Sequence, residues 1–306
     1  MTATRAVVTG GAGFVGRRLV EALVVRGWQV WAVDDFSAGR REDLAAITGG
    51  TACHVIEADV AAAPSVAAAV AAARPSVVFH LAAIHFIPQC ERDPLRTLQT
   101  NIIGTQAVVD AVQSQPGCRL VFASTGDVYA PSLDPHHERS PLGPPSLYGL
   151  SKATGERLVQ RAGDQGVDYR IARLFNIFGP GDRVAHVLPD IVNTLSRGGV
   201  LALGRLDAVR DYVYVADVVK ANVWAIEGRL NQSPVNVCTG EATTTLELAR
   251  AIEQAAGTSA TIGYGGRREG DVERSVLDPG NPPPLGAAVS LREGITRTIN
   301  WFKERR

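Results

Sequence analysis

Tyr148 and Lys152 are the two side chains of this sequence best suited to moving a proton to and from a substrate. Four residues apart, they fall on one face of a helix. A tyrosine hydroxyl ionises near pH 10 in water, so alone it is a poor base at neutral pH. A lysine ammonium and a second nearby cation stabilise the phenolate. Lowering its pKa by about three pH units takes roughly 4 kcal/mol, within reach of two cations in a partly dry site. Ser124 and Thr125 end an apolar run, Leu120–Ala123, and the Thr125 hydroxyl is placed to orient or relay that proton. Lysine occurs only at 152, 220 and 303, against many arginines, which sets Lys152 apart. Thr125, Tyr148 and Lys152 are therefore the candidate catalytic residues.

The elements that must position them follow from alternating patterns. Strand-like runs lie at 6–9, 29–33, 53–56, 77–80, 119–123 and 170–174, with helical stretches at 14–26, 64–73, 95–114 and 146–163. This alternation predicts an α/β protein with a Rossmann-type, doubly wound parallel sheet and right-handed crossovers. Ligands then bind at the carboxyl ends of the strands. The first run ends in Thr9, glycines follow at 10, 13 and 16, and a helix pattern (Leu19, Val20, Leu23, Val24) begins at once. Gly10 permits the sharp turn, Gly13 lets the backbone approach a pyrophosphate, and Gly16 lets the helix pack on the strand. The N–H groups of the first helical residues, Phe14 and Val15 among them, then face the phosphates. The second strand ends in Asp34 and Asp35, where a carboxylate accepts from an adenosine ribose and repels a 2′-phosphate, so NAD is favoured over NADP. Arg40 and Arg41 close by read as solvated arginines opening a helix. Asp59 and Val60 close the third strand pattern, where an acid can meet the adenine amino group.

Beyond Asn176 the alternation becomes irregular, with loop signals at 179–182, 197–199 and 279–284. Two domains are expected: an NAD-binding Rossmann domain over 1–175, with return segments near 211–240, and a smaller C-terminal substrate-binding lid domain mainly over 176–306. The 306 residues carry no formal net charge, which argues against a nucleic acid or an anionic membrane as partner. No apolar run reaches transmembrane length, and the first residues lead straight into a strand, so a cytoplasmic protein is expected. Cys53, Cys90, Cys118 and Cys238 lack metal-ligand spacing. They read as buried thiols in a reducing compartment, with no metal.

Further motifs are Thr9–Gly16, His80–Ala83, Asn101–Thr105, Ser124–Tyr129, Tyr148–Lys152, Arg173–Pro180, Arg210–Asp217 and Arg267–Asp271. With them the chain resembles, over nearly its whole length, the extended short-chain dehydrogenase/reductases. Within these it is similar to the NAD-dependent nucleotide-sugar epimerase/dehydratase branch, and to UDP-glucose 4-epimerases in particular. The resemblance implies a tightly held NAD, with Leu81, Ala82 and Ala83 lining its channel, Phe175 near the nicotinamide, and Asn101, Ser124, Tyr148 and Lys152 also on the cofactor. It implies a nucleotide-diphosphate sugar, with UDP favoured, bound by Asn176, His186, Val187, Arg210, Arg268 and Asp271. The forked arginine donors suit phosphate oxygens. It also implies a homodimer through the helices at 95–114 and 146–163, whose apolar stripes are Leu98, Ile102 and Val109, and Leu150 and Leu158.

In 4-epimerases of this kind Tyr148 would take the proton of the sugar 4-OH while NAD takes the C4 hydride. The 4-keto sugar then turns over and receives the hydride on its other face. Dehydratases of the branch carry Thr-Asp-Glu where this chain has Thr125, Gly126 and Asp127. Gly126 cannot act as an acid, which counts against a 4,6-dehydratase, yet Asp127 stands where dehydratases and decarboxylases use a glutamate. The expectation is a 4-epimerase of a UDP-hexose, UDP-N-acetylhexosamine or UDP-uronate. The alternative is a dehydratase or decarboxylase with Asp127 as base, and the intact Tyr148–Lys152 pair argues against a noncatalytic sensor. His85 is open between a sugar contact and a packed loop residue. Ser275 replaces a bulky tyrosine of some galactose epimerases and leaves room for a 2-acetamido group.

Overall fold

Short runs of β-branched and aromatic residues alternate with helices throughout the first two thirds of the chain. The computed structural model describes residues 4–45, 47, 51–184, 187–197, 201–228, 234–258, 262–264, 272–278 and 288–304. In order come β1 (Arg5–Thr9), α1 (Phe14–Val25), β2 (Gln29–Asp34), α2 (Arg41–Ala45), β3 (Cys53–Glu57), α3 (Ala63–Ala73), β4 (Val77–His80), α4 (Ile87–Arg92), α5 (Pro94–Leu98), a π-helical turn (Gln99–Ile103), α6 (Gly104–Gln113), β5 (Arg119–Thr125), a 3-10 turn (Gly126–Val128), α7 (Leu147–Asp164) and β6 (Asp168–Leu174). Then follow β7 (Ile177–Phe178), α8 (Val187–Arg197), β8 (Leu201–Leu203), β9 (Val209–Arg210), β10 (Val213–Tyr214), α9 (Val215–Ile226), β11 (Val235–Val237), β12 (Thr243–Thr244), α10 (Thr245–Ala256), β13 (Ile262–Tyr264), β14 (Arg274–Ser275) and α11 (Leu291–Lys303).

Seven strands form one sheet in the order β11-β6-β5-β4-β1-β2-β3, and β1 pairs in parallel with both β2 and β4. Strand order reverses at β1 and β4, the switch point at which such sheets open a crevice for ligands. Period-2 alternation sends side chains to two faces. Val7, Val78, Leu120 and Phe122 pack with Val66, Val70, Val108, Val112 and Val159. Ala6, Val8, Phe79 and Val121 pack with Leu19, Leu23, Val219 and Val223. Both faces are covered, which is what the doubly wound reading requires.

The chain divides into two compact units. One comprises 1–128, 142–173 and 219–235; the other comprises 129–141, 174–218 and 236–306. The second has its own apolar core, including Phe178, Ile191, Leu203, Leu248, Ile252, Ile295 and Ile299. Segments 129–141, 174–175, 211–218 and 236–240, expected in the first domain, belong with the second unit. The helix expected over 95–114 is also not continuous, being two α-helical pieces joined by the π turn. Among the described residues no helix is long and apolar enough to cross a membrane, and no group of three or more His, Cys, Asp or Glu side chains could hold a metal ion. The four cysteines are buried free thiols.

Candidate active site

The turn after β1 is built so that side chains cannot enter it. Gly10 has φ +69°, and a Cβ there would lie 2.8 Å from the Ala82 nitrogen. A Cβ on Gly16 would lie 1.9 Å from the Gly10 carbonyl oxygen, so α1 packs against the turn only because residue 16 lacks one. Gly13 is the N-cap of α1; no side chain caps that end and no acidic residue lies in its first turn. The leading N–H groups of α1, from Phe14 and Val15 onward, therefore point outward at the positive end of a helix dipole, the arrangement that holds a phosphate.

Asp34 ends β2 beside this turn. Its carboxylate accepts from the Ala12 N–H at 2.9 Å and from the Phe36 N–H at 2.8 Å, which leaves acceptor capacity for a ribose hydroxyl. Burial raises its pKa, against the opposing pull of the N–H groups of Ala12, Phe36 and Gly13 and with a small addition from Asp35. Asp35 accepts from the Ser37 backbone and hydroxyl and from Arg96 at 3.2 Å. Asp59 accepts from the Ala61 N–H at 2.8 Å and from Arg96 at 2.7 Å. Arg96 thus ties two of the three acids together. Burial alone would raise the Asp59 carboxyl, but the Arg96 and Ala61 hydrogen bonds hold it below the usual range. Val60 is buried in the core, where a Cβ on Gly104 would strike its Cγ2 at 2.8 Å. Arg41 pairs with Glu57 and lies over the Phe36 ring.

At the ends of β1 and β4 a directional hydrogen-bond chain closes. Thr105 gives its one hydroxyl proton to the Asn101 carbonyl at 2.6 Å, so at the 3.0 Å contact His80 Nε2 must donate. His80 Nδ1 therefore accepts from the Thr9 hydroxyl at 2.7 Å, and Thr9 Oγ1 accepts the Ala82 N–H. Burial, followed by the Lys152 charge, pushes His80 down to about 3, so the ring is neutral. Leu81, Ala82 and Ala83 follow β4 half-buried. Asn101, inside the π turn, donates to the Ile84 carbonyl and to Ser151 Oγ at 2.9 Å each and accepts the Ile84 N–H.

Thr125 ends β5, and its hydroxyl lies close enough to Tyr148, in the first turn of α7, to favour the phenolate. The Ser146 hydroxyl caps α7 on the Gly149 N–H, and Glu91 caps the Leu147 N–H. A Cβ on Gly149 would sit 2.2 Å from the Asp127 carbonyl oxygen, so the 3-10 turn and α7 meet in close backbone contact. The downward pKa expected for Tyr148 is reversed in the protein alone. Burial raises its hydroxyl, the Asp127 charge adds to this, and the Thr125 hydrogen bond opposes it. Lys152 is buried with its ammonium 4.3 Å from the centre of the Phe122 ring. Burial pushes it down to about 7, opposed by Glu156. Ser124, read as a cofactor residue, donates to Glu156 Oε1 at 2.5 Å. Tyr148, Lys152, Thr125, Asn101, Ser124, the glycine turn and the three acids all lie in the first unit.

A model of the NAD dependent epimerase/dehydratase family matches residues 6–238. The chain belongs to that family. It is 32% identical to the UDP-glucose 4-epimerase of Mycolicibacterium smegmatis, covering 98% of this chain and 99% of the relative. It is 30% identical to UDP-glucuronic acid decarboxylase 1 of Xenopus tropicalis, covering 98% of this chain and 72% of the relative. The solved structure of a dTDP-glucose 4,6-dehydratase from Streptomyces venezuelae with NAD bound superposes with a TM-score of 0.92 at 27% identity, covering 99% of this chain and 98% of that one. NAD is the cofactor, and the uncapped α1 terminus, the closed glycine turn and the spare acceptors of Asp34 fit it.

The second unit arranges its own expected residues. Asn176 has φ +22° and donates to the Asp211 carbonyl at 3.2 Å. Phe175 is buried. Arg210 donates to the carbonyls of Val209 and Val272, each at 2.9 Å, and its register partner across β9 and β14 is the buried Ser275. His85, in the first unit, is exposed. His186, Arg268 and Asp271 lie outside the described residues, as does the Val187 side chain. Sequence reasoning passed over Arg96, Ser151, Glu156 and Asp211. The last is fully buried; its carboxylate accepts from Thr239 and Gly240, and its backbone carbonyl accepts from Asn176. Only Glu156 carried a signal, standing four residues after Lys152 on the same helical face.

Proposed function

We propose that the chain is an NAD-dependent 4-epimerase of a nucleotide sugar, with UDP as the nucleotide and a hexose, N-acetylhexosamine or uronate as the sugar. The observation that carries this reading is the Thr125 hydroxyl, close enough to Tyr148 to favour its ionised form, followed immediately by Gly126. A proton-moving phenol is in place, and the next residue offers no side chain to act as an acid. When bound, NAD supplies the acceptor for the C4 hydride and returns it. Tyr148 takes the proton of the sugar 4-OH and gives it back, Thr125 orients the phenol, and Lys152 supplies positive charge. Asp34 receives the ribose, Arg210 and Asn176 the diphosphate or sugar, and the buried Ser275 leaves room for a 2-acetamido group.

A second reading rests on Asp127, which lies near enough to Tyr148 to oppose its ionisation. A carboxylate beside the phenol is what proton removal at C5 would use, so a decarboxylase or dehydratase is the alternative. Incubation with a panel of UDP- and dTDP-sugars, read by NMR, tests both. A C4 epimer is expected; a 4-keto-6-deoxy sugar or released carbon dioxide overturns the epimerase in favour of the alternative, and binding without turnover favours a sensor.

The same reading includes a homodimer through the surface of α5, the π turn and α7, where Leu95, Ile103 and Leu150 are 66%, 55% and 50% exposed. It places the protein in the cytoplasm, where buried free thiols persist.

A further inference from the structure

Lys152 and Glu156 lie one turn apart on α7 and are 2% and 1% exposed. Arg173 from β6 forks onto the Glu156 carboxylate, with Nε at 2.9 Å from Oε1 and Nη2 at 2.7 Å from Oε2. Ser124, at the end of β5, donates to Oε1 as well. The groups described around Lys152 are the Phe122 ring from β5, Glu156 from its own helix and the neutral His80 from β4, while Ser124 from β5 and Arg173 from β6 reach it through the Glu156 carboxylate; Tyr148 stands one turn earlier on α7. Two cations and one anion therefore share a dry cluster. A buried ammonium has lost its water, so its charge survives only on nearby compensation. The face of Phe122 gives some of it. The only buried negative charge that the described contacts place beside it is that of Glu156.

We propose that Glu156 is a positioning residue that sets the proton occupancy of Lys152: clamped by Arg173 and Ser124, its carboxylate keeps Lys152 protonated to higher pH than a buried ammonium beside Arg173 would otherwise allow. The clamp fixes the distance from carboxylate to ammonium, and it stops Glu156 from turning to pair with Lys152 directly. The lysine charge thus stays available to the phenol. The inference deepens the site described above and rests on reading Tyr148 and Lys152 as its proton-handling pair.

The sign of the effect is set by charge. E156Q keeps the shape and one acceptor oxygen for Ser124 and Arg173 Nε but leaves two cations together, so Lys152 loses its proton at lower pH. R173Q removes the competing cation and leaves the anion, so Lys152 keeps its proton to higher pH. The chain has three lysines, so protein labelled with carbon-13 at lysine Cε shows few resonances, and the one lost in K152R belongs to Lys152. Titration of the NAD-loaded protein by NMR is expected to move the Lys152 midpoint down by about one pH unit or more in E156Q and up in R173Q. E156D, which keeps the charge, should stay nearer wild type than E156Q. If E156Q does not fold, the upward shift in R173Q decides. Midpoints equal to wild type in the folded variants, or shifts of both in one direction, overturn the proposal. No sugar enters the measurement, so its outcome is separate from that of the turnover assay.

Discussion

At the scale of single residues the site is a contest between burial and charge. Tyr148→Phe keeps the ring and its packing and removes only the hydroxyl. Turnover should fall by at least about 10²–10⁴-fold while NAD content, read from the absorbance of the purified protein, stays near wild type. Retention of more than about a tenth of the rate removes Tyr148 as the base. Asp127→Asn separates the two chemistries. An epimerase should lose less than about tenfold, whereas an enzyme that removes a proton at C5 should lose about 10²-fold or more and accumulate a 4-keto sugar. His80 gives a stability signature. Its folded pKa, about 3, lies below the unfolded value, so the unfolded chain binds the proton first as pH falls. Stability is complete above about pH 6.5 and declines toward pH 3, by roughly 2 kcal/mol between pH 6.5 and 5. Urea melts of wild type and His80→Asn over that range should show the slope in the first and a weaker slope in the second. Equal slopes would show that other groups carry it. The placing of Tyr148 and Lys152 one turn apart, after a strand-end threonine, was legible because a four-residue spacing and a strand end are local facts. The Tyr148 environment was not, because burial and the nearness of Asp127 depend on how the 3-10 turn and α7 meet.

At the scale of elements the glycine turn is the tightest joint. Gly16→Ala would put a methyl group into the Gly10 carbonyl, 1.9 Å away, so α1 must move off β1. NAD affinity, measured by calorimetry, should drop at least tenfold, while Gly27→Ala, whose Cβ meets nothing within 4 Å, should change affinity little despite its backbone strain. Unchanged affinity in Gly16→Ala would mean that α1 does not depend on that contact. Six strands and three of the four helices expected before residue 175 were readable from periodicity, since each carries an unbroken period. The helix over 95–114 was misread, and the π turn explains why. One extra residue in a turn rotates everything after it by about 100° relative to an unbroken α-helix. The stripe Leu98, Ile102 and Val109 is unevenly covered: Val109 is buried in the core, Leu98 and Ile102 are half-buried, and Leu95 and Ile103 are the exposed residues. Single-residue deletion at Thr100 should restore the regular helix and carry Asn101 away from Ile84 and Ser151. A crystal structure of that variant with Asn101 still bonded to both would refute this account.

At the scale of the whole molecule the proposed dimer is testable by light scattering: a mass near twice 32.4 kDa is expected, and Leu150→Glu should shift it toward the monomer. A concentration-independent monomer mass for wild type rejects the dimer. The general division into a sheet-bearing first part and an irregular second part could be seen from where strand–helix alternation stops. The interleaving could not, because it depends on which late segments return. Residues 219–235 complete the first unit: Val219, Val223 and Ala225 enter its core, and Arg119 donates to the carbonyls of Ala225 and Ile226. This has a consequence for synthesis on the ribosome. The nascent chain cannot finish the NAD-binding unit when residue 175 emerges; it must wait until about sixty further residues, most of them belonging to the other unit, have been made. Completion of the first unit therefore waits on the synthesis of much of the second, and a fragment ending at 175 should remain a chaperone client with no cooperative thermal transition.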